Sequence, residues 1–128
     1  MAVGILIITH DGIGPALLGT ANLMLSDCPL EARLLNASTD SDTDQLEVDT
    51  QEMVDQLNEG DGVLILTDLA GSTPSNIAAR IAEGRDDVRI ISGVNLSMLL
   101  RLFNYPESGL DELADKALSG GRDGIARV

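Results

Sequence analysis

The stretch VLILTDLAGSTP, residues 63–74, decides the fold of this chain. Its first half is a short apolar run, which is typical of a strand buried on both faces of a sheet. Its second half offers Ser72 or Thr73 as a helix cap and Pro74 as a residue that the first helical turn tolerates. The stretch therefore predicts a buried strand that leads directly into a helix.

The same pattern recurs along the chain. Residues 3–9 form a second apolar run, and after His10 apolar side chains follow at helical spacing as far as Leu25. Residues 30–36 mix apolar with charged side chains, which indicates a strand near a sheet edge, and residues 37–44 are interpreted as a loop. The remaining predicted elements are helices over 46–57, 73–82, 96–102 and 111–118, a strand over 88–92, and a short final strand over 125–128. Two segments are interpreted as helix ends, residues 26–29 and the pair Gly120-Gly121.

Strands that alternate with helices build parallel βαβ units, and right-handed crossovers place helices on both faces of the sheet. The length of 128 residues suits one domain. We therefore expect an α/β fold over residues 1–128, a doubly wound, mostly parallel open sheet with the strand order 2-1-3-4.

The charge balance restricts the partners. The formal net charge is −13, from 21 acidic and eight basic residues, which argues against nucleic acid because its binding needs a basic surface. An acidic surface either speeds the encounter with a basic protein or serves solubility alone.

Cysteine usage and hydropathy indicate the compartment. The single cysteine, Cys28, has no partner for an internal disulfide and is interpreted as a core residue in a reducing compartment. The apolar run at residues 3–8 is too short to span a bilayer. We therefore expect a cytoplasmic protein without direct membrane insertion.

Polar residues follow three of the predicted strands. His10 comes after the first strand, Asp68 ends the third, and Asn95 follows the fourth, while Thr9 precedes the histidine. In open parallel sheets, ligands bind outside the carboxyl ends of the strands, where the strand order reverses. The order 2-1-3-4 makes His10 and Asp68 neighbours at that point, with Thr9 and Asn95 as candidate contacts at the same rim.

These residue types suit phosphoryl transfer. A neutral imidazole nitrogen is nucleophilic near neutral pH, and a carboxylate on the other ring nitrogen orients it and stabilises the charge that develops. A helix that starts at Thr73 offers free backbone N–H groups to a phosphate, with Gly71 and Ser72 beside it. The sequence thus predicts that His10 accepts a phosphoryl group and that Asp68 orients it. Taken singly, residues of these types more often have a structural role, as a hydrogen-bonded histidine, a turn aspartate or a helix start, and it is their coincidence at one point that favours function.

Other site signatures are missing from the sequence. The turn after the first strand does not read Gly-x-Gly-x-x-Gly, and no phosphate-loop motif occurs. One histidine and one cysteine are too few for an ordinary zinc site. We therefore expect neither a metal nor a cofactor.

Three motifs give the chain a specific resemblance, namely residues 4–10 (GILIITH), 67–76 (TDLAGSTPSN) and 92–99 (SGVNLSML). Together they resemble the mannose/fructose-type enzyme IIA component of the bacterial phosphoenolpyruvate-dependent sugar phosphotransferase system (PTS). The resemblance implies that His10 is phosphorylated by the carrier protein HPr and passes the group to a histidine of enzyme IIB, for sugar uptake or regulation. It implies further that Asp68 supports His10, that Thr73 contacts the phosphate, and that a C-terminal strand is exchanged within a homodimer.

Two alternatives remain open on the sequence. A receiver-like domain would carry phosphate on Asp68, although the first strand lacks the acidic cluster and the sheet the late lysine that such a site needs. A regulatory or binding module of the same fold would have weak or no phosphoryl transfer. Asp11 favours that module, because the family commonly has a small residue after the histidine.

Overall fold

The computed structural model describes residues 2–25 and 30–128. Four strands alternate with helices, and two helices end the chain. The strands are β1 (Gly4–His10), β2 (Ala32–Ala37), β3 (Val63–Thr67) and β4 (Val88–Ser92). The helices are α1 (Ile13–Met24), α2 (Thr43–Leu57), α3 (Thr73–Ala82), α4 (Leu96–Phe103) and α5 (Leu110–Asp123).

The four strands form one parallel sheet in the order β2-β1-β3-β4, which confirms the predicted topology. In its register Ile8 pairs with Thr67 and His10 pairs with Ala37. β1 and β3 are central and almost completely buried, whereas β2 and β4 lie at the edges and are partly exposed. The ends of β1 and β3 therefore lie side by side at the switch point of strand order.

Alternate side chains of the central strands enter two cores, one on each face of the sheet. On one face, Ile5, Ile7, Leu64 and Leu66 pack with side chains of α1, α4 and α5. On the other face, the intervening residues of β1 and β3 pack against α2 and α3. The sheet is thus covered on both sides, as a doubly wound fold requires.

The C-terminal region differs from two predictions. Helix α5 continues through Gly120 and Gly121 to Asp123, because these glycines allow close packing on α4 and do not end the helix. A Cβ atom at Gly120 would overlap Cβ of Arg101 and lie 2.7 Å from its Cγ, and one at Gly121 would lie 2.9 Å from Cε of Met98. Residues 125–128 are exposed and form no strand, since none of the strands described in the chain pairs with them.

Two further predictions concern residues 26–29. The helix end predicted there and the core role of Cys28 lie outside the described residues. Among the helices that are described, none combines the length and apolarity needed to cross a membrane.

Candidate functional site

His10 and Asp68 meet at the carboxyl ends of β1 and β3, although 58 positions separate them in the sequence. The Nδ1 atom of His10 lies 2.8 Å from Oδ2 of Asp68. The backbone N–H of His10 donates to the same oxygen at 3.1 Å. The sheet register therefore holds the imidazole against the carboxylate through two contacts.

This contact determines which ring nitrogen faces outward. Because the carboxylate accepts the hydrogen bond, Nδ1 carries the hydrogen and the lone pair lies on Nε2. The His10 side chain is 47% exposed, whereas that of Asp68 is only 9% exposed. The arrangement therefore suits Nε2 to act as a nucleophile, because the contact at Nδ1 orients a ring that is about half exposed.

The environment keeps Asp68 ionised. Burial tends to raise the pKa of this carboxyl, but the hydrogen bonds from the His10 ring and backbone, with the positive charge that the ring carries when it is protonated, outweigh burial and lower the pKa below its ordinary value. The second oxygen, Oδ1, is buried and has no hydrogen-bond partner in the described part of the chain. Among the described residues, His10 is therefore the partner of this carboxylate, which can stabilise positive charge on the imidazole.

The start of helix α3 lies beside this pair. Gly71 has a φ of 83°, a left-handed conformation that glycine adopts without strain, and this turn leads the chain from β3 into the helix. No atom lies within 4 Å of a Cβ built on Gly71, so its role is the turn and not a close approach. Ser72 is the N-cap residue, but its hydroxyl donates to the carbonyl oxygen of Leu69 at 2.6 Å and makes no capping bond.

The first turn of α3 consequently has donors to offer an anion. No side chain caps it, Pro74 has no N–H, and the first turn contains no acidic residue. The N–H groups of Thr73 and Ser75 precede the first intrahelical hydrogen bonds, so they stay available to an anion at the positive end of the helix dipole. Thr73 is exposed and lines a cavity of about 170 Å³ together with His10.

Thr9 and Asn95 have structural roles in place of the expected rim contacts. Thr9 is completely buried; its hydroxyl donates to the carbonyl of His10 and accepts from the N–H of Gly14, each at 2.8 Å. The Asn95 side chain caps α4 by accepting from the N–H of Met98, and it donates to the carbonyl of Gly121 at 3.1 Å. Their polar atoms thus hold the backbone around the site and are already engaged.

The loop after β2 was missed as part of the site. Residues 37–44 are interpreted above only as a loop, yet Ala37, Ser38, Thr39, Ser41 and Thr43 line the cavity beside His10 and Thr73. The available signal was a dense run of hydroxyl side chains immediately after a strand that pairs with β1. Because that pairing places the loop next to His10, the run lies at the site.

Other groups near the site limit its chemistry. Asp11 is exposed and makes no hydrogen bond or ion pair with any described residue. Across the described ranges, no three histidine, cysteine, aspartate or glutamate side chains cluster as a metal site would require. Lys116 lies in α5 with its Nζ 4.3 Å from the centre of the Tyr105 ring and makes no ion pair with Asp68, which disfavours the receiver-like alternative.

Comparison with known proteins agrees with this geometry. A family model described as the PTS system fructose IIA component, EIIA-man, matches residues 4–118. The mannose-specific EIIAB component of the PTS of Escherichia coli K12 is 28% identical over 127 residues. That alignment covers 98% of this chain but only 39% of the relative, so the chain spans about two-fifths of that protein's length.

Solved structures share the whole architecture. The mannose/sorbose-specific IIA subunit from Enterococcus faecalis superposes with a TM-score of 0.88 at 19% identity, covering 100% of this chain and 96% of that one. The EIIA component from Streptococcus agalactiae gives a TM-score of 0.84 at 25% identity, with 98% and 96% covered. The first likeness shows the fold, and the family match extends over most of the sequence. The chain therefore belongs to the EIIA-man family, the mannose-type IIA components of the PTS.

Proposed function

We propose that this chain is a phosphoryl carrier that accepts a phosphoryl group from phospho-HPr on Nε2 of His10 and passes it to a histidine of enzyme IIB. The observation that carries the proposal is the 2.8 Å contact between Nδ1 of His10 and Oδ2 of Asp68. This contact fixes the tautomer in which the exposed nitrogen is the nucleophile.

Phosphoryl transfer between two histidines needs no cofactor, because one N–P bond replaces another. The lone pair of Nε2 attacks phosphorus, a new N–P bond forms, and the N–P bond to the donor histidine breaks with its electron pair going to the donor nitrogen. The hydrogen on Nδ1 stays in its bond to Asp68, whose negative charge offsets the positive charge that develops on the ring. Thr73, with the N–H groups at the start of α3 beside Gly71 and Ser72, would receive the oxygens of the phosphoryl group.

The proposal extends to the oligomeric state of the chain and to its place in the cell. β4 is an edge strand with partly exposed residues, and residues 125–128 are exposed and belong to no helix or strand of the described chain. We propose that in a homodimer these residues pair with an edge strand of the second copy, and that the carrier works in the cytoplasm with its PTS partners.

Phosphorylation of the purified chain tests the function. Incubation with phosphoenolpyruvate, enzyme I and HPr should give an acid-labile, base-stable adduct at a stoichiometry near one, detected by intact-protein mass spectrometry. His10→Ala should abolish the adduct, because the chain has no other histidine. An adduct that survives in His10→Ala, or no adduct on the wild-type chain, would contradict the proposal.

A regulatory module of the same fold is the second candidate. The exposed carboxylate of Asp11, next to His10 in the sequence, favours it, because like charge would slow the approach of a phosphoryl group. Phosphorylation far below one group per chain, restored towards one by Asp11→Gly, would support this candidate over the carrier.

A further inference from the structure

The cavity beside His10 has a second wall in addition to the start of α3. It is formed by the loop between β2 and α2 and by the first residue of α2, which together place four hydroxyl side chains along the cavity. The cavity volume of about 170 Å³ is several times the roughly 30 Å³ that one water molecule occupies in the liquid. A phosphoryl group on His10 would therefore fit between the two walls.

Two of the four hydroxyls build the loop. The N–H of Ser38 donates to Oγ of Ser41 at 2.9 Å, and the two Oγ atoms are 3.1 Å apart. The N–H of Ser41 donates in turn to the carbonyl of Ser38 at 3.1 Å. These bonds close a tight turn, so the residues on it are held in place before any ligand arrives.

The other two hydroxyls remain free. Thr39 lies on that turn and Thr43 is the first residue of α2, and both are exposed at the cavity. Neither hydroxyl has a hydrogen-bond partner within residues 2–25 and 30–128. These two hydroxyls, like that of Thr73 at the start of α3, are accessible at the cavity and are not engaged by another described residue.

Among the residues that the structure describes, no lysine or arginine lines this cavity. Six of the eight basic side chains are engaged elsewhere in the described structure, five in ion pairs and one over an aromatic ring: Arg33, Arg80, Arg85, Arg89, Arg101 and Lys116. The other two, Arg122 and Arg127, do not line the cavity, so its lining side chains offer a phosphoryl group on His10 neutral donors. A hydroxyl that donates to an ionised oxygen makes a stronger bond than one between neutral groups.

We infer that Thr39 and Thr43 are positioning residues that donate hydrogen bonds to the oxygens of the phosphoryl group on His10, together with Thr73. The inference rests on the proposed carrier function and adds the second half of its anion site. The two threonines would hold the phosphoryl group in line with Nε2 without neutralising it, which keeps it transferable to the next protein.

The double variant Thr39→Val/Thr43→Val tests this inference, because valine keeps the shape and removes both hydroxyls. Its rate of phosphorylation should be measured with two donors, phospho-HPr and phosphoramidate, a small donor with a P–N bond. We expect about a tenfold fall with each donor, from the loss of bonds to a charged group. With HPr, kcat should fall while KM stays the same. Thr39→Ser/Thr43→Ser should restore the rate, and Thr20→Val, an exposed threonine on α1, should leave it unchanged.

The outcomes separate the two proposals. A wild-type chain that neither donor labels would overturn the carrier function and, with it, this inference. Labelling that proceeds equally in the wild type and in the double valine variant would overturn only the inference. A fall with HPr alone would also overturn it, since the threonines would then contact the donor protein and not the phosphoryl group.

Discussion

Helices α2 and α3 both begin with a threonine at the cavity beside His10, but the two helix starts are built differently. At α2, the carboxylate of Asp42 accepts from the N–H groups of Asp44 and Gln45, and Asp44 adds a second negative charge to the first turn. At α3, the hydroxyl of Ser72 points back to Leu69, and the first turn has neither a cap nor an acidic side chain.

This difference shows that two helix starts at one cavity can have different roles, one stabilising the fold and the other binding an anion. The start of α2 has its N–H groups satisfied by a carboxylate, so it stabilises the fold and offers an anion only a hydroxyl. The start of α3 leaves its N–H groups and its positive dipole end for a ligand. An anion bound beside His10 should therefore depend on α3 much more than on α2.

The largest expected effect comes from the carboxylate that faces His10 itself. Asp68→Asn keeps the shape but removes the charge that supports the ring, so phosphorylation by HPr should slow by about 10- to 100-fold, the range typical of partners that orient a reactive histidine. Stopped reactions quantified on gels that retard phosphoproteins would measure the rate. An unchanged rate would remove Asp68 from the mechanism.

Making α3 resemble α2 should have the next largest effect. Ser75→Asp places a carboxylate in the first turn of α3, where it would compete with the phosphoryl group for the free N–H groups. We expect the transfer rate to fall about tenfold while the free energy of unfolding rises by about 0.3–1 kcal/mol, since the acid now complements the dipole. Thr20→Asp, which adds the same charge on α1, is the matched control. Equal effects of both variants would indicate general charge repulsion and not a role of the helix start.

Removing the cap of α2 should lower stability without changing the transfer rate, the opposite of the effects expected for Ser75→Asp. Asp42→Ala should lower the free energy of unfolding by about 1 kcal/mol and leave the transfer rate unchanged, because this carboxylate satisfies the helix and not a ligand. Urea denaturation of the variant beside Asp40→Ala, an exposed aspartate of the same loop that caps no helix, isolates the cap. A clear change in the transfer rate would show that the capped N–H groups of α2, and not only the Thr43 hydroxyl, act on the phosphoryl group.

The smallest effect concerns pH. The pKa of Asp68 is lowered in the folded chain, so its charged form contributes stability at pH values above the ordinary aspartate pKa of about 4. That contribution is lost as the pH falls through the lowered pKa. The stability difference between the wild type and Asp68→Asn should therefore stay constant above about pH 5 and shrink as the pH falls from there through the lowered pKa. A difference that stays constant below about pH 5 as well would argue against the lowered pKa.

Much of the fold and half of the site could be predicted from local patterns. Apolar runs and helical periodicity predicted the four strands, their order and five helices, because burial on both faces leaves a continuous apolar signature. The pairing of His10 with Asp68 followed from strand order alone. The glycines of α5 misled the prediction of a helix end, since a glycine that lets two helices pack closely looks the same in sequence as one that ends a helix.

The other half of the site required coordinates. Thr9 and Asn95 have the right residue types at the right strand ends, but the structure turns their polar atoms to backbone partners. Thr39 lies in a polar loop and Thr43 begins α2. The run of hydroxyl residues there is visible in the sequence but has no periodicity, and only the pairing of β2 with β1 places it beside His10.

The linear sequence by itself determined the layered architecture, the single imidazole that can act as a nucleophile, and the aspartate at the end of a buried strand. These features are encoded by hydropathy and by residue chemistry, which act over a few residues. Only the tertiary structure decided that one oxygen of Asp68 contacts both the ring and the backbone of His10, which helix start remains uncapped, and which hydroxyls surround the cavity. Those outcomes depend on distances between segments far apart in the chain, and packing of the whole sheet sets such distances.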